Sequence, residues 1–198
     1  MHVSAGSNGG GLPFASAKGS NFLGLLKAVE KLHGTEALRR ALGRLPTELA
    51  DSLQNGQVLA VGWYPVRWYA ELHSAIDAAL GGGPAAARAL GQEATLADFG
   101  GMHRLLASML SVETVFSQTP RLMGLYWKGG SVERRELKTG FARLRFANWP
   151  GFSRLVWEDI MGSSEGILSF CGARGIRCRV LGNLDDLQPT VEFELRWN

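Results

Sequence analysis

Disulfide chemistry is scarce here: the 198 residues hold two cysteines, Cys171 and Cys178. Their spacing in CGARGIRC is neither a C-x-x-C redox pair nor half of a zinc ribbon. Both are read as buried structural thiols, one on the inward face of a helix and one on that of a strand. Long apolar runs are missing too, so no segment is expected to span a bilayer. The opening stretch MHVSAGSNGGG has neither the basic region nor the apolar region of a secretory signal, which makes the cytoplasm the expected compartment and reduced thiols the expected state. Charge of one sign is also lacking. The first hundred residues carry eight Lys/Arg against eight Asp/Glu, and the surplus of +3 lies wholly in the second half. Its densest basic cluster, Arg134, Arg135, Lys138, Arg143 and Arg145, is interrupted by Glu133 and Glu136. That is a solvated hairpin face rather than a nucleic-acid stripe, and no nucleic-acid partner is expected.

Catalytic and metal-binding patterns are absent as well. The four histidines, His2, His33, His73 and His103, form no H-x-x-x-H or H-x-x-E-H pair, so no metal site is expected. No phosphate-binding G-x-x-x-x-G-K-[ST] loop occurs, and the G-x-S-x-G match at 162–166 falls inside a helical pattern rather than at the strand-to-helix turn of a nucleophile elbow. Asp185 and Asp186 with Glu192 lack the oxygen spacing of a calcium loop. Glu71 and His73 are the remaining acid and base candidates for an unrecognised enzyme. His103, after Gly100, Gly101 and Met102, reads either as a pocket base or axial haem ligand, or as a histidine at the core edge with one hydrogen-bond partner.

What the sequence does have is a composition for a packed core: 45% hydrophobic, 20% charged, six Trp and nine Phe. A chain of this length buries about 70% of its unfolded surface without help from disulfides. Residues 1–19, rich in Gly and Ser, read as a disordered tail, and residues 20–198 as a single domain. Helical spacing runs from Ser20 through Phe22, Leu25, Leu26 and Val29 to Gly34. Thr35 opens a second helix, Pro46 a short third, and Pro65 a long one that continues through Trp68, Leu72 and Ile76 to the glycines 81–83. Pro84 restarts helix to Leu90, Thr95 caps a further one through Phe99, Met102, Leu106 and Leu110, and Pro120 breaks and restarts the pattern.

Beyond Gly130 the period changes to two. Ala142, Leu144 and Phe146 alternate with Arg143 and Arg145, Ile176, Cys178 and Val180 with Arg177 and Arg179, and Val191, Phe193, Leu195 and Trp197 with Thr190, Glu192, Glu194 and Arg196. Between them Ser153 to Arg174 reads as helix, with Gly162 and Gly166 marking either close packing or a break. The predicted fold class is therefore α+β: a helical N-terminal half packed on one face of a roughly four-stranded antiparallel sheet in the C-terminal half.

The succession W-Y-P-V-R-W at 63–68, A-R-A-L-G at 87–91, A-D-F-G-G at 97–101, S-E-G-I-L-S-F-C-G-A-R-G at 164–175 and the closing V-E-F-E-L-R-W resembles an uncharacterised family expanded in myxobacteria. That family is in turn similar to the haem-nitric-oxide-binding, vinyl-reductase-type and trafficking-particle subunit superfamily. The resemblance runs from about residue 35 to the end, and implies a helical N-terminal half, an antiparallel sheet, and a role in small-ligand sensing or subunit assembly. No tyrosine-x-serine-x-arginine set stands ready for haem propionates, so the resemblance carries no haem to His103, and no cofactor is expected. The cysteines of vinyl-reductase-type domains are missing from 181–198.

The aromatic cluster Trp63, Tyr64, Trp68 and Tyr69 reads as packing that anchors the helix after Pro65, or as a pocket wall if a cavity lies between these rings and Met102, Phe116 and Trp127. From it follows the leading expectation: a non-enzymatic cytoplasmic sensor or regulatory domain binding an apolar small molecule at Trp63, Trp68, Met102, His103, Phe116 and Trp127. No catalytic residue is assigned. The alternative is a protein-interaction module or homodimeric scaffold subunit without a ligand.

Overall fold

The structure is a computed structural model that describes residues 15–98, 111–184 and 189–198. The chain enters through a short strand, β1 (Ser16–Lys18), and then runs through α1 (Gly19–His33), α2 (Thr35–Leu42) and α3 (Thr47–Gln54). Strand β2 (Trp63–Pro65) leads directly into α4 (Val66–Leu80), followed by α5 (Gly83–Asp98), α6 (Val112–Ser117) and α7 (Thr119–Tyr126). The remainder comprises β3 (Trp127–Lys128), β4 (Ser131–Lys138), β5 (Phe141–Ala147), α8 (Arg154–Phe170), β6 (Arg177–Val180) and β7 (Val191–Arg196).

Among the described residues the strands form a small sheet in the order β2-β1-β3 and a larger antiparallel sheet in the order β4-β5-β7-β6. The larger one is the sheet that the alternating residues predict. Its register puts Ala142 opposite Leu195, Leu144 opposite Phe193, and Phe146 opposite Val191 on the inner face, all buried. On the outer face Glu194 is almost fully buried beneath Arg143, Arg179 and Arg196, with Arg179 and Arg196 donating to its carboxylate at 2.9 and 3.0 Å. Those arginines hold the Glu194 carboxyl below its ordinary range. The basic residues here are thus interleaved with acids, and a carboxylate sits at the centre of the face.

Four expectations change. The tail ends earlier than residue 19: Ala15 and Ala17 are fully buried, because β1 pairs with both β2 and β3 and its backbone satisfies those edges. Residues 1–14 lie outside the description. Thr95 caps no helix, since α5 runs without interruption from Gly83 to Asp98, and the predicted continuation through Phe99, Met102 and Leu110 falls outside the described residues. Helix α8 stops at Phe170 rather than Arg174, with Gly172 and Gly175 at positive φ beyond it. Its start is as predicted, with the Ser153 hydroxyl accepting from the Val156 N–H at 3.4 Å. Cys171, at the end of α8, is only half-buried, whereas Cys178 is buried.

Close helix contact organises the interior. A Cβ built on Gly91 of α5 would lie 2.1 Å from the Asp159 carbonyl oxygen, and one on Gly162 of α8 would lie 1.9 Å from that of Arg88. Gly162 therefore marks close packing, not a break. Arg88 fastens this contact to the sheet: its guanidinium donates to Glu158 at 3.0 Å and to the Cys178 carbonyl at 3.1 Å. Gly162→Ala should cost about 3 kcal/mol or more, since backbone and not a flexible side chain must yield. Gly124→Ala, in α7 where a new Cβ meets nothing within 4 Å, should gain up to about 1 kcal/mol. Urea denaturation of the two variants checks the contrast.

Candidate functional site

A cavity of about 140 Å³ lies between the helices and the inner face of the larger sheet. Helix α1 contributes Ser20, Asn21 and Gly24, α5 contributes Ala94 and Thr95, and α6 and α7 contribute Phe116, Leu122, Met123 and Tyr126 among others. Trp127 of β3 closes one side, Leu144 and Phe146 of β5 form part of the floor, and α8 supplies Asp159, Ile160, Ser163, Ser164, Ile167 and Leu168. Tyr69 reaches in from α4. The wall is apolar and aromatic with few polar groups, the usual character of a small-molecule site.

Rigid neighbours hold that wall in place. Trp127 packs edge-on against Tyr69 at 5.3 Å between centroids and against Phe152 at 5.1 Å. Phe116 stacks on Trp197 at 5.2 Å. Most of the lining hydroxyls are occupied locally: Ser164 donates to the Ile160 carbonyl at 2.8 Å and Ser163 to the Gly91 carbonyl at 3.3 Å. The Asn21 amide donates to the Tyr126 carbonyl at 3.2 Å.

The polar feature of the wall is the buried pair of Tyr69 and Asp159, with His73 behind it. The Tyr69 hydroxyl donates to Asp159 Oδ2 at 3.1 Å. One turn along α4, His73 lies 4.9 Å from the Tyr69 ring, and its Nε2 stands 3.9 Å from Asp159 Oδ1, too far for a hydrogen bond. That Nε2 atom has no partner. Burial lowers the imidazole to about 3 and keeps it neutral. Burial also raises the Asp159 carboxyl to about 7, with the Tyr69 bond pulling the other way. The Tyr69 phenol is raised well above its ordinary value, first by burial and then by the Asp159 charge.

Of the residues expected to surround a ligand, Phe116 and Trp127 line this cavity. Trp63 and Trp68 are not on its wall. Trp63 sits in β2 under the Lys128 ammonium, 4.0 Å from the ring centre, and Trp68 stacks on Tyr64 at 5.9 Å. Met102 and His103 lie outside the described residues. Glu71 and His73, two residues apart on a helix, face different ways, and the acid nearest His73 is Asp159. Asp159 had no signal in the sequence, but the four-residue step from Tyr69 to His73 already places those two on one face of α4. Among the described residues no three His, Cys, Asp or Glu side chains gather as a metal site. No described helix is long and apolar enough to cross a membrane.

The fold is that of H-NOX domains. An unliganded Fe(II) H-NOX protein from K. algicida superposes with a TM-score of 0.68 at 14% identity, covering 91% of this chain and 96% of that one. An oxygen-binding H-NOX domain related to soluble guanylate cyclases gives 0.64 at 10% identity, over 91% and 95% of the two chains. The H-NOX from Shewanella woodyi, in its Fe(II)CO ligation state, gives 0.62 at 15% identity, over 90% and 93%. No protein-family model and no curated protein matches the sequence.

The described wall does not fit the haem that this fold implies. A cavity of about 140 Å³ has the capacity of a single small ring, since an apolar cavity of about 150 Å³ holds benzene, and a tetrapyrrole is several times larger. Haem also brings two carboxylates. The described lining has no Lys, Arg or His to receive them, and its one ionisable acid is the buried Asp159.

The trio makes a pH test of its own. Between about pH 4 and 6.5 an unfolded chain carries the imidazole proton and has lost the carboxyl proton, while the folded chain does the reverse. The two slopes oppose each other and cancel. Asp159→Asn leaves the histidine alone, so unfolding stability should rise with pH across this window by about 1.4 kcal/mol per unit. His73→Phe leaves the raised carboxyl, so stability should fall as pH climbs from about 4 towards 7. Urea midpoints at several pH values decide it, and parallel profiles for the two variants would remove the assignment.

Proposed function

We propose that this chain is a non-enzymatic sensor or regulatory domain of the cytoplasm whose input is a small, largely apolar molecule. Its site is the cavity bounded by Tyr69, Phe116, Tyr126, Trp127, Phe146 and Asp159. The observation that carries the reading is the cavity itself: an open volume walled by aromatic and aliphatic side chains in an otherwise close-packed interior. The H-NOX fold supports it by analogy, since proteins of that fold are described as oxygen-binding and carbon-monoxide-ligated. The present chain senses without haem on this reading, because its described wall offers neither the room nor the cations.

A protein-partner role has a weaker footing: among the described residues the exposed large hydrophobics are Leu32, Leu59, Val61 and Leu125, and of these only Leu59 and Val61 sit together, on the loop before β2. Two side chains do not make an interface. Ligand binding is therefore preferred to the scaffold alternative.

Native mass spectrometry of the purified protein should reveal either a bound small molecule that denaturation releases, or an empty protein that takes up toluene. Toluene should raise the melting temperature with a saturable dependence on concentration. Ala94→Leu, which pushes three more carbons into the lining, should weaken that binding at least tenfold while the fold remains intact. Hemin, by contrast, should give no saturable one-to-one absorption change. A protein that carries no ligand and shows no response to toluene would refute the reading.

A further inference from the structure

The carboxyl of Asp159 is costly where it stands. It lines the cavity with its side chain 5% exposed, and the one described basic group beside it, His73, is held neutral 3.9 Å away. Arg88 of α5, which packs against α8, is committed elsewhere: it pairs with Glu158 at 3.0 Å and Glu165 at 3.5 Å. A buried acid without a counter-charge destabilises a fold, and an apolar residue of similar size would fill the position at lower cost. The surrounding wall carries the rings of Tyr69, Phe116, Tyr126 and Trp127.

From this juxtaposition we infer that the ligand of the cavity is a small organic amine, its ammonium group paired with Asp159 and its hydrocarbon part among the aromatic rings. The inference rests on the proposed ligand-binding reading and adds the chemical class. An ammonium supplies the missing positive charge, the Tyr69 hydroxyl orients the carboxylate by donating to Oδ2, and aromatic faces attract a desolvated cation. An anionic ligand would meet a carboxyl and no described cation. A neutral alcohol could use one hydrogen bond but would leave the carboxyl without compensation. No proton or covalent change in the ligand is involved.

Four probes of nearly one shape separate the possibilities: toluene, benzyl alcohol, benzylamine and benzoate, each titrated into the full chain near pH 8 by calorimetry or ligand-observed NMR. Benzylamine should bind at least tenfold more tightly than benzyl alcohol, and benzoate not measurably. Asp159→Asn should abolish the preference for the amine, bringing benzylamine to within about twofold of benzyl alcohol. Benzyl alcohol binding as well as benzylamine, or an amine preference that survives Asp159→Asn, overturns the inference while leaving the cavity reading intact. Failure of toluene as well as the other three overturns both. Should Asp159→Asn not fold, the ranking of the four probes on the unaltered protein still decides the matter, and Tyr69→Phe, which keeps the carboxyl, should retain a preference for the amine.

Discussion

The contact on which the rest of the structure turns is the one between α5 and α8. Two helices can touch backbone to backbone only where side chains are missing, and Gly91, Gly162 and Gly166 supply that gap. The approach fixes the rotation of α8. Val156, Ile160 and Leu168 are thereby turned towards the sheet, while Asp159 is brought under Gly91 and across to Tyr69 of α4. Arg88 then ties the helix pair to β6 through Glu158 and the Cys178 carbonyl, and Glu165 accepts from the Cys178 N–H at 3.2 Å. The sheet's position relative to α8 follows from these bonds, and so does the cavity that opens between them.

An opening in a packed interior survives only if its walls cannot relax into it. Here the walls are rings already committed to other rings. Phe152 packs against Trp127, Trp149 and Trp157, with centroids 5.1, 5.2 and 4.8 Å away, and Phe146 joins this group to Phe193 at 4.7 Å. The Trp149 indole is itself pinned by donation to the Ser131 carbonyl at 3.0 Å. Moving Trp127 or Phe146 inward would open a gap behind each of them. The cavity is thus a consequence of aromatic packing on its far side, which also helps explain how a carboxyl comes to face it: the described rings around it are held by other rings.

How much of this was legible depends on the range of the interactions. The strict alternation from Val191 to Trp197 needs no partner to be read, because a period of two has one structural meaning when one face is apolar. The glycines of α8 were visible as a choice between contact and break, and only the partner helix decides between them. Strand β1 carries no such pattern. Ser16, Ala17 and Lys18 are neither β-branched nor aromatic, and they form a strand because Trp63–Pro65 and Trp127–Lys128 present edges on either side. The aromatic density at 63–69 misdirects for a related reason: of its four rings only Tyr69 turns to the cavity, whereas Trp68 lies back on Tyr64. Asp159 was hidden completely, since a lone acid on the edge of a helical stripe looks like any solvated residue until a second helix covers it.

The same reasoning separates this chain from the proteins that share its fold. At 10–15% identity what persists is the arrangement of helices and sheet, and the chemistry of the enclosed space is set by a handful of side chains on it. A site for an iron porphyrin needs basic groups for the propionates and a broad slot. A wall whose described residues supply one carboxyl, several rings and room for about one of them has the opposite polarity and a fraction of the volume. Placing an acid at this position costs folding stability at neutral pH, where burial holds its titration near 7, and the Tyr69 hydrogen bond offsets only part of that cost. A ligand bearing positive charge would return it, and on the proposed reading Asp159 would then link the occupancy of the cavity to the stability of the domain, the bound form being held more firmly at α4 and α8 than the free form.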